Sequence, residues 1–240
     1  LVVYPAHGAG SACGKNMSKE TFDTLGHQKQ TNYALRANMT KEEFVKEVTV
    51  GLAPPPAYFP LNVGLNKNGY DPIDEVMERG VRPLSPRAFE AAASETDALV
   101  IDARDAEVFS KGFIPGSVFI GLDGSFAPWV GALVPDIGQK ILVVAPDGRA
   151  AEVVRRLARV GYDHCIGHLE GGFEAWQKAG LPVDQIERID PAALAAIDGA
   201  TILDVRKKSE FDSEHVLAAE SAPLDFINDS MKKVPTGRPV

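Results

Sequence analysis

The residues best placed for chemistry lie in one turn. The apolar run Ile141 to Val144 leads into Ala145-Pro146-Asp147-Gly148-Arg149-Ala150, and the segment from Gly148 to Val160 then places Val153, Val154, Leu157 and Val160 at helical spacing. A strand that ends in a turn leading to a helix is where open α/β sheets bind ligands. Successive backbone N–H groups there, backed by a helix N-terminus, stabilise an anion such as a thiolate, a persulfide or a phosphate. A cysteine at the first turn position would have its pKa lowered and become a nucleophile; that position holds Ala145. The thiols lie elsewhere, Cys13 in a Gly/Ser-rich loop and Cys165 in Tyr162-Asp163-His164-Cys165-Ile166, 152 residues apart. That separation suits reduced thiols better than a disulfide, and Cys165 reads as a small buried core residue. His7, at a strand end beside glycines, occupies a position suited to a ligand. His27, His164, His168 and His215 lack ligand-spaced partners and read as surface or core residues.

The elements that must position these residues follow from pattern. A strand over Leu1 to Tyr4 opens the chain, and helices are expected at Ser18 to Leu25 and at Thr40 to Thr49, where Thr40-Lys41-Glu42-Glu43 reads as a capped start. Residues 54 to 72 hold five prolines with many Gly and Asn, which predicts an irregular connection between modules. Tyr58 and Phe59 read as packing residues at this seam. From Ser85-Pro86 strands and helices alternate: a helix at Pro86 to Ala93, a strand at Ala98 to Asp102, a helix near Asp105 to Lys111, and the strand at Ile141 to Val144. This implies a parallel sheet with helices on both faces. Ile101-Asp102-Ala103-Arg104 recurs as Leu203-Asp204-Val205-Arg206 at an offset of 102, with Phe109 matched by Phe211. Two tandem copies explain the repeat. The second reaches Val240 before its own turn, so 189 to 240 is expected to be loosely ordered or to lean on a neighbour.

Bulk properties narrow the function classes. At 240 residues the chain is longer than one usual domain, and its 45% hydrophobic and 24% charged residues suit a globular protein. With net charge −8 and a pI near 5.2 it has no basic, aromatic-interleaved stretch for nucleic acid. Its apolar runs fall well short of the roughly 20 residues of a membrane span. No signal peptide opens it, so a cytoplasmic setting is expected. Because it begins at Leu1 inside an apolar run, the chain reads as a fragment. A homo-oligomer is compatible with the sequence.

Four motifs carry a family resemblance: Asp102-Ala103-Arg104, Gly112-Phe113-Ile114-Pro115-Gly116-Ser117, Leu169-Glu170-Gly171-Gly172-Phe173-Glu174-Ala175-Trp176, and Gly180-Leu181-Pro182. Together they resemble the rhodanese family over residues 84 to 184. The family's loop pattern, Cys-x-x-Gly-x-Arg, aligns with Ala145 to Ala150, so the cysteine is replaced by Ala145 and the arginine by Ala150. Arg149 stands next to that position as a candidate to face an anion. The resemblance implies a domain that cannot carry sulfane sulfur and serves as a scaffold or docking module, with Asp102 and Arg104 as structural rather than catalytic residues.

A second resemblance covers residues 1 to about 80. Tyr4-Pro5-Ala6-His7-Gly8, Ser11-Ala12-Cys13-Gly14, Asn32-Tyr33-Ala34-Leu35 and Pro54-Pro55-Pro56-Ala57-Tyr58-Phe59-Pro60 are similar to the C-terminal part of a metallo-β-lactamase αβ/βα fold. They most resemble bacterial persulfide dioxygenase–rhodanese fusions. The resemblance places His7 at the last metal-site position of the parent and makes Cys13 a candidate persulfide carrier. It implies Fe(II) in the intact protein, with Zn in a glyoxalase II-like hydrolase as the alternative, and a low-molecular-weight thiol persulfide such as glutathione persulfide as partner. A lone His7 does not hold a catalytic metal, so no metal is expected on this fragment alone.

Overall fold

The computed structural model describes residues 1–5, 20–50, 58–231 and 234. The chain divides into two units, Leu1–Pro54 and Pro55–Val240. Among the described residues no helix is long and apolar enough to cross a membrane.

In the first unit β1 (Val2–Val3) pairs antiparallel with β2 (Asp23–Thr24). Helix α1 runs Leu25–Thr31 and α2 runs Lys41–Thr49. The helix expected at Ser18 to Leu25 is corrected by this arrangement: residues 23 and 24 are strand, and the helix begins where Thr24 caps it by accepting the His27 amide at 3.2 Å. The α2 start agrees with expectation, because Thr40 accepts the Glu43 amide while the Glu43 carboxylate accepts the Thr40 amide. His7 and Cys13 lie outside the described residues.

The second unit opens with α3 (Tyr58–Asn68) and α4 (Ile73–Gly80). Within the irregular connection expected over 54 to 72, residues 58–68 are corrected to a helix, since Pro60 sits in the first turn of α3, where a missing N–H leaves no helical bond unmade. Of the two seam aromatics Tyr58 is buried and Phe59 exposed. The chain continues through β3 (Pro83–Leu84), α5 (Pro86–Thr96), β4 (Leu99–Asp102), α6 (Ala106–Ser110), β5 (Val118–Phe119), α7 (Phe126–Leu133), β6 (Ile141–Val144), α8 (Ala150–Ala158), β7 (Cys165–Leu169) and α9 (Gly172–Lys178). The five strands form one parallel sheet ordered β3-β7-β6-β4-β5.

The four residues of β6 are completely buried because both faces of the sheet are covered. Ile141 and Val143 meet residues of α7 and α8, whereas Leu142 and Val144 meet Phe89 of α5 and Phe173 and Trp176 of α9. Val153, Val154 and Leu157 fasten α8 to the sheet, and burying each contributes about 1.5–3 kcal/mol. Helix α4 packs closely on α8: a Cβ added to Gly80 would stand 2.5 Å from a Val154 methyl.

Beyond residue 189 follow α10 (Pro191–Ala195), β8 (Leu203–Asp204), α11 (Lys208–Ser213), β9 (Glu220–Ser221), a 3-10 turn at Leu224–Phe226 and α12 (Ile227–Ser230). The parallel register Leu203↔Glu220 repeats Ile101↔Val118. The tail leans on α7, where the Asn228 side-chain amide donates to the Ala132 carbonyl at 3.0 Å.

Candidate functional site

Strand β6 ends at the C-terminal edge of the sheet, so the turn from Ala145 to Arg149 stands where that edge meets the N-terminus of α8. The turn is closed by the Arg149 amide donating to the Pro146 carbonyl at 3.0 Å. Gly148 makes this possible with a φ of +67°, a left-handed conformation that other residues adopt at a penalty. A cleft of about 800 Å³ opens over the turn, with Arg104, Phe173, His168 and Asp123 contributing to its walls. All six residues expected to form the anion loop, Ala145, Pro146, Asp147, Gly148, Arg149 and Ala150, line it.

Both guanidinium groups in this cleft are already engaged. Arg149 donates through its two terminal nitrogens to Asp123, each at 2.8 Å, and through Nε to Glu152 at 2.8 Å. The hydrogen bonds to Arg149 hold the Asp123 and Glu152 carboxyls below their usual range, and the same bonds push the guanidinium up. Glu152 is shared, since Arg156 donates to its other oxygen at 2.6 Å. Arg104 is bound at 2.6 Å to Asp102 and donates to the Gly112 carbonyl at 2.8 Å, with its guanidinium 4.2 Å from the centre of the Phe173 ring. Asp102 and Arg104 thus hold the wall together, the structural role that the family resemblance implied.

His168, expected to be a surface or core residue, stands on β7 in the cleft wall, and its Nδ1 is buried without a hydrogen-bond partner among the described residues. Burial lowers its pKa from 6.5, so the ring is neutral at pH 7. Cys165 lies on the same strand but faces the core, with 0% exposure. Its Sγ approaches the carbonyl oxygens of Gly80 at 3.7 Å and Gly167 at 3.8 Å, and burial pushes its pKa up to about 11. It is therefore a protonated, enclosed thiol at neutral pH. Asp123 went unnoticed in the sequence, because it reaches Arg149 across 26 residues and no local pattern announces such a pair.

Parts of the chain are similar to known proteins. The rhodanese-like domain family matches residues 85–179. The thiosulfate sulfurtransferase GlpE of Actinobacillus succinogenes is 30% identical over 106 residues, which are 44% of this chain and 91% of that protein.

The chain belongs to the rhodanese-like family.

A metallo-beta-lactamase structure from Staphylococcus aureus subsp. aureus COL aligns with a TM-score of 0.50 at 27% identity, over 70% of this chain. That share is larger than the rhodanese-like residues alone could supply. The chain spans 44% of the length of that structure. A thiosulfate sulfurtransferase structure from Pseudomonas aeruginosa aligns at 20% identity and a TM-score of 0.38, over 63% of this chain and 36% of that one. Within the rhodanese-like unit the parallel sheet and its two helical layers are as expected, and the turn after β6 carries alanine at its head.

Proposed function

We propose that this chain comes from a sulfur-metabolism protein in which the rhodanese-like unit, residues 84 to 184, docks or scaffolds and does not itself transfer sulfur. One observation carries this: a methyl group stands at the head of the amide-rich turn, and the only described thiol, Cys165, is enclosed in the core. Sulfur relay needs a thiolate that an acceptor can reach. Neither condition is met in the cleft.

The larger protein we read as a metallo-β-lactamase-fold persulfide dioxygenase fused to tandem rhodanese-like units, acting on a thiol persulfide such as glutathione persulfide in the cytoplasm. The likeness to the Staphylococcus aureus metallo-beta-lactamase and the motifs of residues 1 to 80 support this. Residues 189 to 240 begin the second unit, supported by the repeated Asp204–Arg206 geometry: Arg206 binds Asp204 at 2.6 Å and the Glu214 carbonyl at 2.8 Å, as Arg104 does with Asp102 and Gly112. Iron, with His7 at its pocket and Cys13 as a persulfide carrier, belongs to that larger protein. Among the described residues no three His, Cys, Asp or Glu side chains converge as a metal site. The metallo-beta-lactamase neighbour favours, as a second reading, a two-zinc hydrolase with the same scaffold.

The test is transfer of sulfur from thiosulfate to cyanide by the purified chain. No turnover above the buffer rate is expected. Turnover that survives Cys13→Ser and disappears in Cys165→Ser would overturn the reading, whereas turnover lost in Cys13→Ser would belong to the first unit. For the larger protein, metal analysis joined to oxygen consumption on glutathione persulfide separates the two readings: iron with oxygen uptake is expected, and zinc without it refutes the dioxygenase.

A further inference from the structure

The cleft over the Ala145 turn carries the wrong charge for a small anion. It is lined by four carboxylates, Asp105, Asp123, Asp147 and Glu174, against two guanidinium groups, Arg104 and Arg149. Asp123 holds Arg149 with help from Glu152, and Asp102 holds Arg104 from beneath. Asp105, Asp147 and Glu174 are then left without an ion-pair partner among the described residues. The N-terminus of a helix supplies about half a positive charge, which three carboxylates outweigh. His168 is neutral and adds none.

Resting on the reading that this cleft docks rather than turns over, we infer that its occupant is a basic polypeptide segment, a lysine- or arginine-bearing stretch of a partner protein. The volume of about 800 Å³ exceeds what one small ion needs. Val81 and Val108 give the cleft apolar surface for the methylene stem of such a side chain, while the carboxylates meet its cationic head. A like-charged oxyanion is repelled from the same mouth, and a cation is drawn to it.

A fluorescent hexalysine peptide, titrated by anisotropy into the whole chain at low salt, tests this, with backbone amide NMR shifts reporting where it sits. Binding is expected to shift the amides between Ala145 and Ala151. Asp147→Asn with Glu174→Gln should weaken it about fivefold, the sum of two exposed charge contacts. Neutralising two exposed carboxylates elsewhere, Glu95→Gln with Asp198→Asn, should change it less than about twofold. Equal losses in both pairs, shifts confined to other surfaces, or thiosulfate shifting the turn while hexalysine does not would each overturn the inference. Thiosulfate turnover that survives Cys13→Ser in the same preparation would instead sink the non-catalytic reading. A chain with neither turnover nor localised peptide binding would sink the docking partner alone.

Discussion

Asp102→Asn and Asp204→Asn form a natural comparison, because the two carboxylates make the same contacts in surroundings that differ. Each binds an arginine two residues on at 2.6 Å, and each arginine donates to a carbonyl eight residues further at 2.8 Å. The Asp102 and Arg104 side chains are 0% and 8% exposed, whereas those of Asp204 and Arg206 are 11% and 48% exposed. Asparagine keeps the volume and removes the charge. At position 102 it leaves a guanidinium buried without its counter-ion, which costs about 3–5 kcal/mol; at position 204 water solvates the guanidinium that is left. Urea unfolding followed by tryptophan fluorescence reads the effect, since both tryptophans, Trp129 and Trp176, lie in the second unit. With a slope of about 2 kcal/mol per molar urea, Asp102→Asn should lower the midpoint by about 2 M, while Asp204→Asn should leave it within the scatter of repeats. Equal shifts for the two variants would refute burial as the deciding factor.

Other outcomes follow from single contacts. The Tyr162 hydroxyl donates to the Val134 carbonyl at 2.6 Å in the core, so Tyr162→Phe should destabilise the unit by about 1–3 kcal/mol in the same unfolding assay. Cys165 has its pKa raised by burial from 9.0 to about 11; the unfolded thiol ionises first, so stability should fall as pH rises between those values, and Cys165→Ala should flatten that fall in urea midpoints across the range. Peptide-resolved iodoacetamide labelling at pH 8 should leave Cys165 unmodified until urea unfolds the chain, and rapid native labelling there would contradict its enclosure. Gly148→Ala should lose about 1 kcal/mol from its +67° φ alone, since nothing stands within 4 Å of the added methyl; a neutral outcome in thermal unfolding would mean that the turn relaxes.

Legibility in the sequence followed the range of the forces involved. Ile141 to Val144 was readable as a buried strand because four consecutive apolar residues between turn signals serve both faces of a sheet. The Thr40 cap was readable because its partner is three residues away. Helix α7 escaped notice: Phe126–Leu133 is apolar on most sides and contains Pro128, so it shows no helical stripe. Helix α3 was hidden by the prolines around it, although Pro60 falls in its tolerant first turn. At the site, the turn itself was local and visible, but its electrostatic state was not. Arg149 looked free to face an anion until Asp123, brought in from the segment after β5, claimed it.

The matched registers of β4 with β5 and β8 with β9 bear on how the chain assembles during synthesis. Strand β6 pairs with β4 through Leu99↔Ile141 to Asp102↔Val144, and the backbone around Leu203 and Asp204 offers a near-duplicate of that template about a hundred residues downstream. A nascent chain meets β4 first, which biases assembly toward the proper partner; a denatured chain diluted from urea meets both templates at once. Strand exchange between repeats is thus the characteristic misassembly to watch for in renaturation.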